Sequence, residues 1–326
     1  MNTDNAIEFS VVIPVKNGID TLVSCLDALF KQTVKDRMEV IIIDSGSTDG
    51  TLELLKNYPV KIHHLPPKEF NHGETRNLGV QLAQGEYVVM TVQDATAADD
   101  RWIETMRSHF DDPEVAGVCG QQIVNHDKSK NPLQWFRPIN QAVPFSYQFK
   151  DTDEFKKLTG REQHKYCNWD DVNAMYRKSL KEKLPFRKLM FSEDTLWAKD
   201  ALEAGYKIVY DYRARVYHYH HQDYTFYFKR SYIILYQNYK FYNYIKYPKN
   251  PFVKVAEIKI RLLKMKELSL SEKLHWMWYN FQLVRAAWTA ALIFGFNARF
   301  KGMDGVEASQ KKLVGYPPQG VQLKKQ

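Results

Sequence analysis

Asp94 stands in QDATAADD, directly after the apolar run Tyr87–Val92. A carboxylate at a strand end can hold a divalent cation against phosphate oxygens, although the same residue type also caps helices and forms turns. His218, His220 and His221 lie in VYHYHH. In a strand, 218 and 220 would share a face and 221 would point away. Imidazole can complete the coordination of a metal held by a carboxylate, and histidine-rich runs also occur on surfaces. Glu193 and Asp194 are adjacent and precede a helical apolar pattern. One acid of such a pair can act as a general base if it faces a cleft; both acids also suit the positive end of a helix. Arg76, in FNHGETRNLG, could hold phosphate oxygens through its bidentate fork or lie on a solvated helix face. Asp44, in IIIDSGSTDG, could accept hydrogen bonds from a base or ribose.

These groups need a scaffold, and the stretch Phe9–Asp49 supplies its first unit. Val11–Val15 and Val40–Ile43 are short apolar runs, each followed at once by turn residues. Leu22, Cys25, Leu26 and Leu29 recur at helical spacing between them. The pattern predicts two buried parallel strands joined by a helix, with ligands bound beyond the strand ends at Pro14–Gly18 and Asp44–Gly50. Further strands are predicted at Val60–His64, Tyr87–Val92 and Val115–Val124, with Asn168–Met175 returning to the sheet. FSEDTLWAKDALEAGY reads as a helix ended by Gly205, and KIVYDYRARVYHYHH as a pair of short strands. Residues 125–165 hold Pro132, Pro138 and Pro144 and read as a long loop region with short helices. Beyond them the chain is rich in Tyr, Phe, Trp and Lys, and mostly helices are expected.

Composition narrows the class. A hydrophobic content of 44% supports a sizeable core. Cys25, Cys119 and Cys167 are too scattered for a disulfide framework or a zinc site, which fits a reducing compartment. The N-terminus has no basic region and no apolar core of a signal peptide. The net charge of +8 is uneven. From Tyr227 onward there are 18 Lys and Arg against 5 Asp and Glu, +13, which leaves −5 on the first 226 residues. Such asymmetry points the back of the chain at an anionic surface, membrane or nucleic acid. Leu274–Phe296 is the longest late apolar stretch, but Arg285 near its centre excludes a membrane span. Trp276, Trp278 and Trp288 would suit a helix lying in a membrane interface, or equally an aromatic helix packed on the main domain. Lys254–Lys266 is basic, with apolar residues on two faces.

FSVVIPVKNG, VIIIDSGSTDGT, GETRNLG, GEYVVMTVQDA, FSEDTLWAKDALEAGYKIVYD and VYHYHH follow one another in order. Together they resemble the family 2 glycosyltransferases over roughly residues 8–225. FNHGETRN, QDAT and the pattern at Glu193–Ala198 are most similar to bacterial rhamnosyltransferases of O-antigen and capsule assembly. The resemblance implies the GT-A fold: an α/β, Rossmann-like, mixed and mainly parallel sheet flanked by helices. It implies a nucleotide-sugar and acceptor domain over 1–225 and a basic, helical region over 226–326 that is membrane-proximal or oligomeric. The implied reaction is inverting transfer of L-rhamnose from dTDP-β-L-rhamnose to a growing surface polysaccharide or lipid-linked glycan, with Mg²⁺ or Mn²⁺. By the same resemblance, Pro14, Val15, Asn17, Asp44 and Ser45 contact the nucleoside. Arg76, Gln93 and Asp94 lie near the diphosphate. Asp94 holds the metal, His218 or, in preference, His220 approaches the metal or diphosphate, and Asp194 is the base. Trp169, Asn173 and Glu193 lie on the acceptor side. The metal motif Gln93-Asp94-Ala95 carries one carboxylate where the family often has two or three, and Ser45 replaces a frequent acid. A cytoplasmic enzyme on the inner face of the plasma membrane is expected, without nucleic acid as a partner and with room for a homo-oligomer. Three rivals remain: a UDP- or GDP-sugar transferase of hexosaminyl or mannosyl type, a nucleotidyltransferase, and a non-catalytic nucleic-acid-binding protein.

Overall fold

A computed structural model describes residues 6–135 and 143–315 of the chain. The first apolar run forms β1 (Phe9–Val15), and α1 (Leu22–Leu29) buries Leu22, Cys25, Leu26 and Leu29 at the predicted spacing. β2 (Met38–Asp44) runs parallel to β1 in a register that pairs Val15 with Asp44. The turns leaving these two strands therefore open side by side. α2 (Thr51–Leu55) leads to β3 (Lys61–His64), parallel to β2. α3 (His72–Leu82) returns the chain to β4 (Tyr87–Met90), parallel to β1 on its other side. β5 (Thr96–Ala97), α4 (Trp102–Arg107) and β6 (Val115–Ile123) follow. The proline-bearing region holds β7 (Phe145–Tyr147), α5 (Thr152–Lys157) and α6 (Gly160–Tyr166); Pro138 lies outside the described residues. β8 (Ala174–Arg177), α7 (Lys178–Lys183), α8 (Glu193–Glu203) and β9 (Lys207–Tyr217) complete the α/β part.

The sheet runs β3-β2-β1-β4-β8-β6-β9-β5, with β7 also on β9. β8 is antiparallel to both β4 and β6, so the sheet is mixed, as expected. β3-β2-β1-β4 are parallel, as are β6 and β9, and helices cover both faces. Val11, Ile13 and Val15 pack into one core with α1 and Trp102, and Val12 packs into the other with Val80. This double burial is why the strands read as unbroken apolar runs.

The expected pair of short strands over 207–221 is one strand. Its pairing with β6 jumps from Cys119–Tyr210 to Gln121–Arg215, so four residues of β9 bulge opposite Gly120. Asp211 sits buried in this bulge. It takes hydrogen bonds from Arg213 and faces His109 Nε2 at 2.7 Å. Burial opposes its ionisation, but these partners outweigh burial and hold its carboxyl far below the ordinary range.

The remainder is helical: α9 (Tyr224–Tyr242), α10 (Pro251–Lys264) and α11 (Leu270–Leu313), the last broken at Gly302 with φ 61°. Tyr232 and Ile233 of α9 pack against Ala290, Ala291 and Phe294 of α11. Among the described residues no helix is long and apolar enough to cross a membrane.

α3, which carries Arg76, is seated against β1 at Gly79, where an added Cβ would lie 2.3 Å from Val12 Cγ1. In an open helix, Gly→Ala would gain about 1 kcal/mol. Here Gly79→Ala is expected to lower stability by about 1–3 kcal/mol through overpacking. A urea midpoint at or above that of the unaltered protein would contradict this seating.

Candidate active site

A cavity of about 1840 Å³ opens beyond the ends of β1, β2 and β4. Pro14, Val15, Asn17, Ser45, Gln93 and Asp94 line one part of it. Hydrogen bonds between the strand-end turns fix this wall. The Lys16 amide donates to Gln93 Oε1 (2.8 Å), and Gln93 Nε2 returns a bond to the Lys16 carbonyl (3.2 Å). Asn17 adopts a left-handed φ of 51°; its amide donates to Ser47 Oγ, and its Oδ1 accepts from the Thr48 amide. Ser45 Oγ donates to the Val15 carbonyl (3.1 Å).

Asp94 faces two imidazoles. His218 Nε2 lies 3.4 Å from its Oδ1 and His220 Nε2 3.3 Å from its Oδ2. The three side chains offer ligand atoms that all lie within 4.8 Å of one another. β9 ends at Tyr217, so both imidazoles reach Asp94 from the segment after the strand rather than from a strand face. His218 Nδ1 lies 2.7 Å from Gln122 Oε1. If this nitrogen carries the proton, His218 Nε2 is left free to bind a metal. Burial opposes ionisation of Asp94, but contact with His218 and the charges of both imidazoles outweigh it and lower its pKa. Burial, then the neighbouring His218, lowers the pKa of His220, with a smaller push from Arg230. Two imidazoles, which ligate in their neutral form, and one carboxylate would fit a divalent cation with coordination positions to spare.

The second group of charges is acidic and surrounds one guanidinium. Arg76 is 5% exposed; its Nη1 donates to Glu193 Oε1, and its Nε lies 3.5 Å from Asp171 Oδ2. Gly73 lets α3 come close enough, since a Cβ there would sit 2.6 Å from the Arg187 carbonyl. Asp171 also accepts a hydrogen bond from the Tyr176 hydroxyl. Burial pushes the Asp171 carboxyl up to about 6, against the pull of Arg76. Asp194 lines the cavity in the first turn of α8, just after Ser192, whose φ is 65°. Burial, then the charges of Glu193, Asp171 and Asp170, raises its pKa well above the carboxylate range. A non-glycine residue in this backbone region carries strain of a kind often found at functional sites.

Five of the expected site residues make contacts of their own in the structure. Asp44 is 2% exposed and accepts from the amides of Gly46 and Ser47, so it shapes its own turn and does not line the cavity. Arg76 lines the cavity and is engaged by Glu193 and Asp171. Glu193 spends an oxygen on Arg76. Asn173 is 1% exposed, accepts from Trp102 Nε1 and donates to the carbonyls of Gln121 and Ala214, which makes it a strut between strands. Trp169 reaches the cavity wall, but its indole N–H is held by Tyr176 and its ring packs on Trp197.

Sequence reasoning missed Asp170, Asp171, Gln122 and Arg230. The adjacent acids of NWDD were legible as a pair but read as the entry to a strand. Gln122 gives no signal until β6 is registered against β9. Arg230 lies in a region read as membrane-facing, yet it lines the cavity with Gln237 and Asn238 of α9.

Residues 10–184 match the family described as Glycosyl transferase family 2. The chain is 33% identical over 220 residues to the O-antigen chain rhamnosyltransferase RfbN of Salmonella typhimurium, covering 66% of this chain and 67% of that one. It is 34% identical over 217 residues to the O-antigen chain rhamnosyltransferase WbaN of Salmonella anatum, covering 65% and 66%. The chain thus spans about two thirds of each relative. Its fold is similar to that of the mannosyltransferase PcManGT from Pyrobaculum calidifontis, solved in complex with GDP-Man and Mn²⁺, with a TM-score of 0.52 at 16% identity over 95% of this chain and 81% of that one.

Arg76→Met would leave Glu193 and Asp171 buried without their counter-charge. It is expected to cost about 3–5 kcal/mol of stability. The folded state holds protons on Asp171 that the unfolded chain has released, so stability falls as pH rises through the interval from about 4 to about 6. The loss should therefore be smaller at pH 5 than at pH 8, measured by denaturant unfolding. A pH-independent loss would contradict the shared charge.

Proposed function

This chain belongs to the family 2 glycosyl transferases, and from that membership we propose that it moves L-rhamnose from dTDP-β-L-rhamnose, with inversion, onto a growing bacterial surface polysaccharide or lipid-linked glycan. The observation that carries the rhamnosyl reading is the kinship with two O-antigen chain rhamnosyltransferases. The reaction type draws support from one cavity that holds both a two-histidine, one-carboxylate cluster and an acid of raised pKa.

In this reading Pro14, Val15, Asn17, Ser45 and Gln93 form the nucleoside side of the cavity. Asp94, His218 and His220 would hold a divalent cation, Mg²⁺ or Mn²⁺. Such a cation would supply positive charge to the diphosphate oxygens as the sugar leaves. Asp194 accepts the proton of the acceptor hydroxyl while the oxygen bonds to the anomeric carbon. The bond from that carbon to the diphosphate breaks on the opposite face, which inverts the centre. A raised pKa brings Asp194 closer to the operating pH, where a general base is most effective. Glu193 holds Arg76, and Arg230 offers its guanidinium to the leaving diphosphate. Residues 1–225 supply most of the catalytic machinery, α9 adds Arg230 to it, and the rest of 226–326 serves as a membrane-proximal or oligomerising region. The enzyme works in the cytoplasm at the inner face of the plasma membrane.

Thermal unfolding with a panel of nucleoside diphosphates tests the donor. dTDP with Mn²⁺ should stabilise the protein by about 2.7 kcal/mol at 100 times its dissociation constant, and less without metal. A shift with UDP or GDP instead would keep the transferase and change the sugar. Asp194→Asn should lower transfer by about 10²–10⁴-fold while keeping the dTDP shift. Because the base must be ionised, activity should fall as pH drops through a value above the ordinary carboxylate range. Near-normal transfer by a folded Asp194→Asn protein would discard this base.

A further inference from the structure

Helices α10 and α11 each carry two apolar faces, and only one of each is covered. Ile258 and Leu262 of α10 pack with Trp276 of α11 in one buried cluster, and Phe294 of α11 packs on α9. The opposite face of α11 presents Leu270, Leu274, Trp278, Leu292, Phe296 and Phe300, all between 57% and 70% exposed. Their spacing keeps them on one side over about 45 Å of helix. α10 repeats the arrangement with Phe252, Val253, Ile260 and Leu263, between 50% and 84% exposed. This is the physical content of the two apolar faces legible in Lys254–Lys266. Of the tryptophans that suited an interface, only Trp278 is open. Trp276 is buried, and the Trp288 indole donates to the Lys249 carbonyl.

The same helices carry unpaired positive charge. Lys249 and Lys254 share Glu257. Lys259, Lys264, Lys266, Arg299 and Lys301 are exposed and have no carboxylate partner among the described residues. We propose that the outward stripes of α10 and α11 dock on an anionic lipid surface, with the aromatic and leucine side chains entering the interface and the lysines meeting headgroups. Charge decides between occupants. A second copy would bring another +13 against the first, whereas an anionic leaflet complements it. Nucleic acid would match the charge but leave the leucines and phenylalanines in water. The proposal deepens the inner-face reading above and rests on it.

Co-sedimentation of the full chain with phosphatidylcholine vesicles, with and without phosphatidylglycerol, tests it. The unaltered protein should bind only the anionic vesicles, less tightly at high salt. Trp278→Ser combined with Phe296→Ser should weaken binding by at least about tenfold. Lys259→Glu with Lys264→Glu should do the same and flatten the salt dependence. Both variants change exposed side chains, so the melting temperature and the nucleoside diphosphate shift should stay unchanged. Equal vesicle binding by the variants would overturn this surface and keep the membrane reading. Failure of the unaltered protein to bind at low salt would overturn both. Concentration-dependent self-association lost in Trp278→Ser with Phe296→Ser would assign the stripe to a second copy and overturn the proposal.

Discussion

One buried positive charge is shared among more acids than it can neutralise. Arg76 touches Glu193 and lies beside Asp171, while Asp194 and Asp170 add their fields to the same wall. The desolvation cost of this arrangement is met only because three segments converge: α3 through Gly73, the loop before β8, and the first turn of α8. Asp194 is raised first by its own burial and then by the fields of these neighbouring acids.

The acidic wall and the metal-type cluster are also joined directly. Gln122 on β6 donates to Asp170 and presents its oxygen to His218 Nδ1, and His218 faces Asp94. A neutral amide can do this because it offers a donor and an acceptor at once. A carboxylate at this position would offer no proton to Asp170. The strand thereby sets both the aim of an imidazole and the aim of an acid across one cavity. β6 pairs with β8 up to Cys119, and Gln122 itself pairs with Val216 of β9.

Much of this was legible in sequence where local rules hold. Val11–Val15 and Val40–Ile43 announced buried parallel strands, and Asp94, His218 and His220 stood out by residue type. The illegible parts depend on pairing between distant segments. Nothing in KIVYDYRARVY distinguishes a bulge from a turn until Cys119 and Gln121 are registered against it. By family resemblance Asn173 and Trp169 are expected on the acceptor side; Trp169 does line the cavity, but the hydrogen bonds of Asn173 run to other strands and the Trp169 indole to Tyr176. Arg76 reads as phosphate-facing or solvated because sequence does not show the acids that Gly73 lets approach.

α9 closes one side of the cavity with Arg230, Gln237 and Asn238 and packs its other side on α11. The change of composition near residue 225 is therefore not a modular joint. Exchanging the C-terminal third between relatives would also exchange a wall of the cavity. The wall that α9 gives the cavity and the external face of α11 are consequently inherited as one unit, and a lineage cannot readily alter one surface without the other.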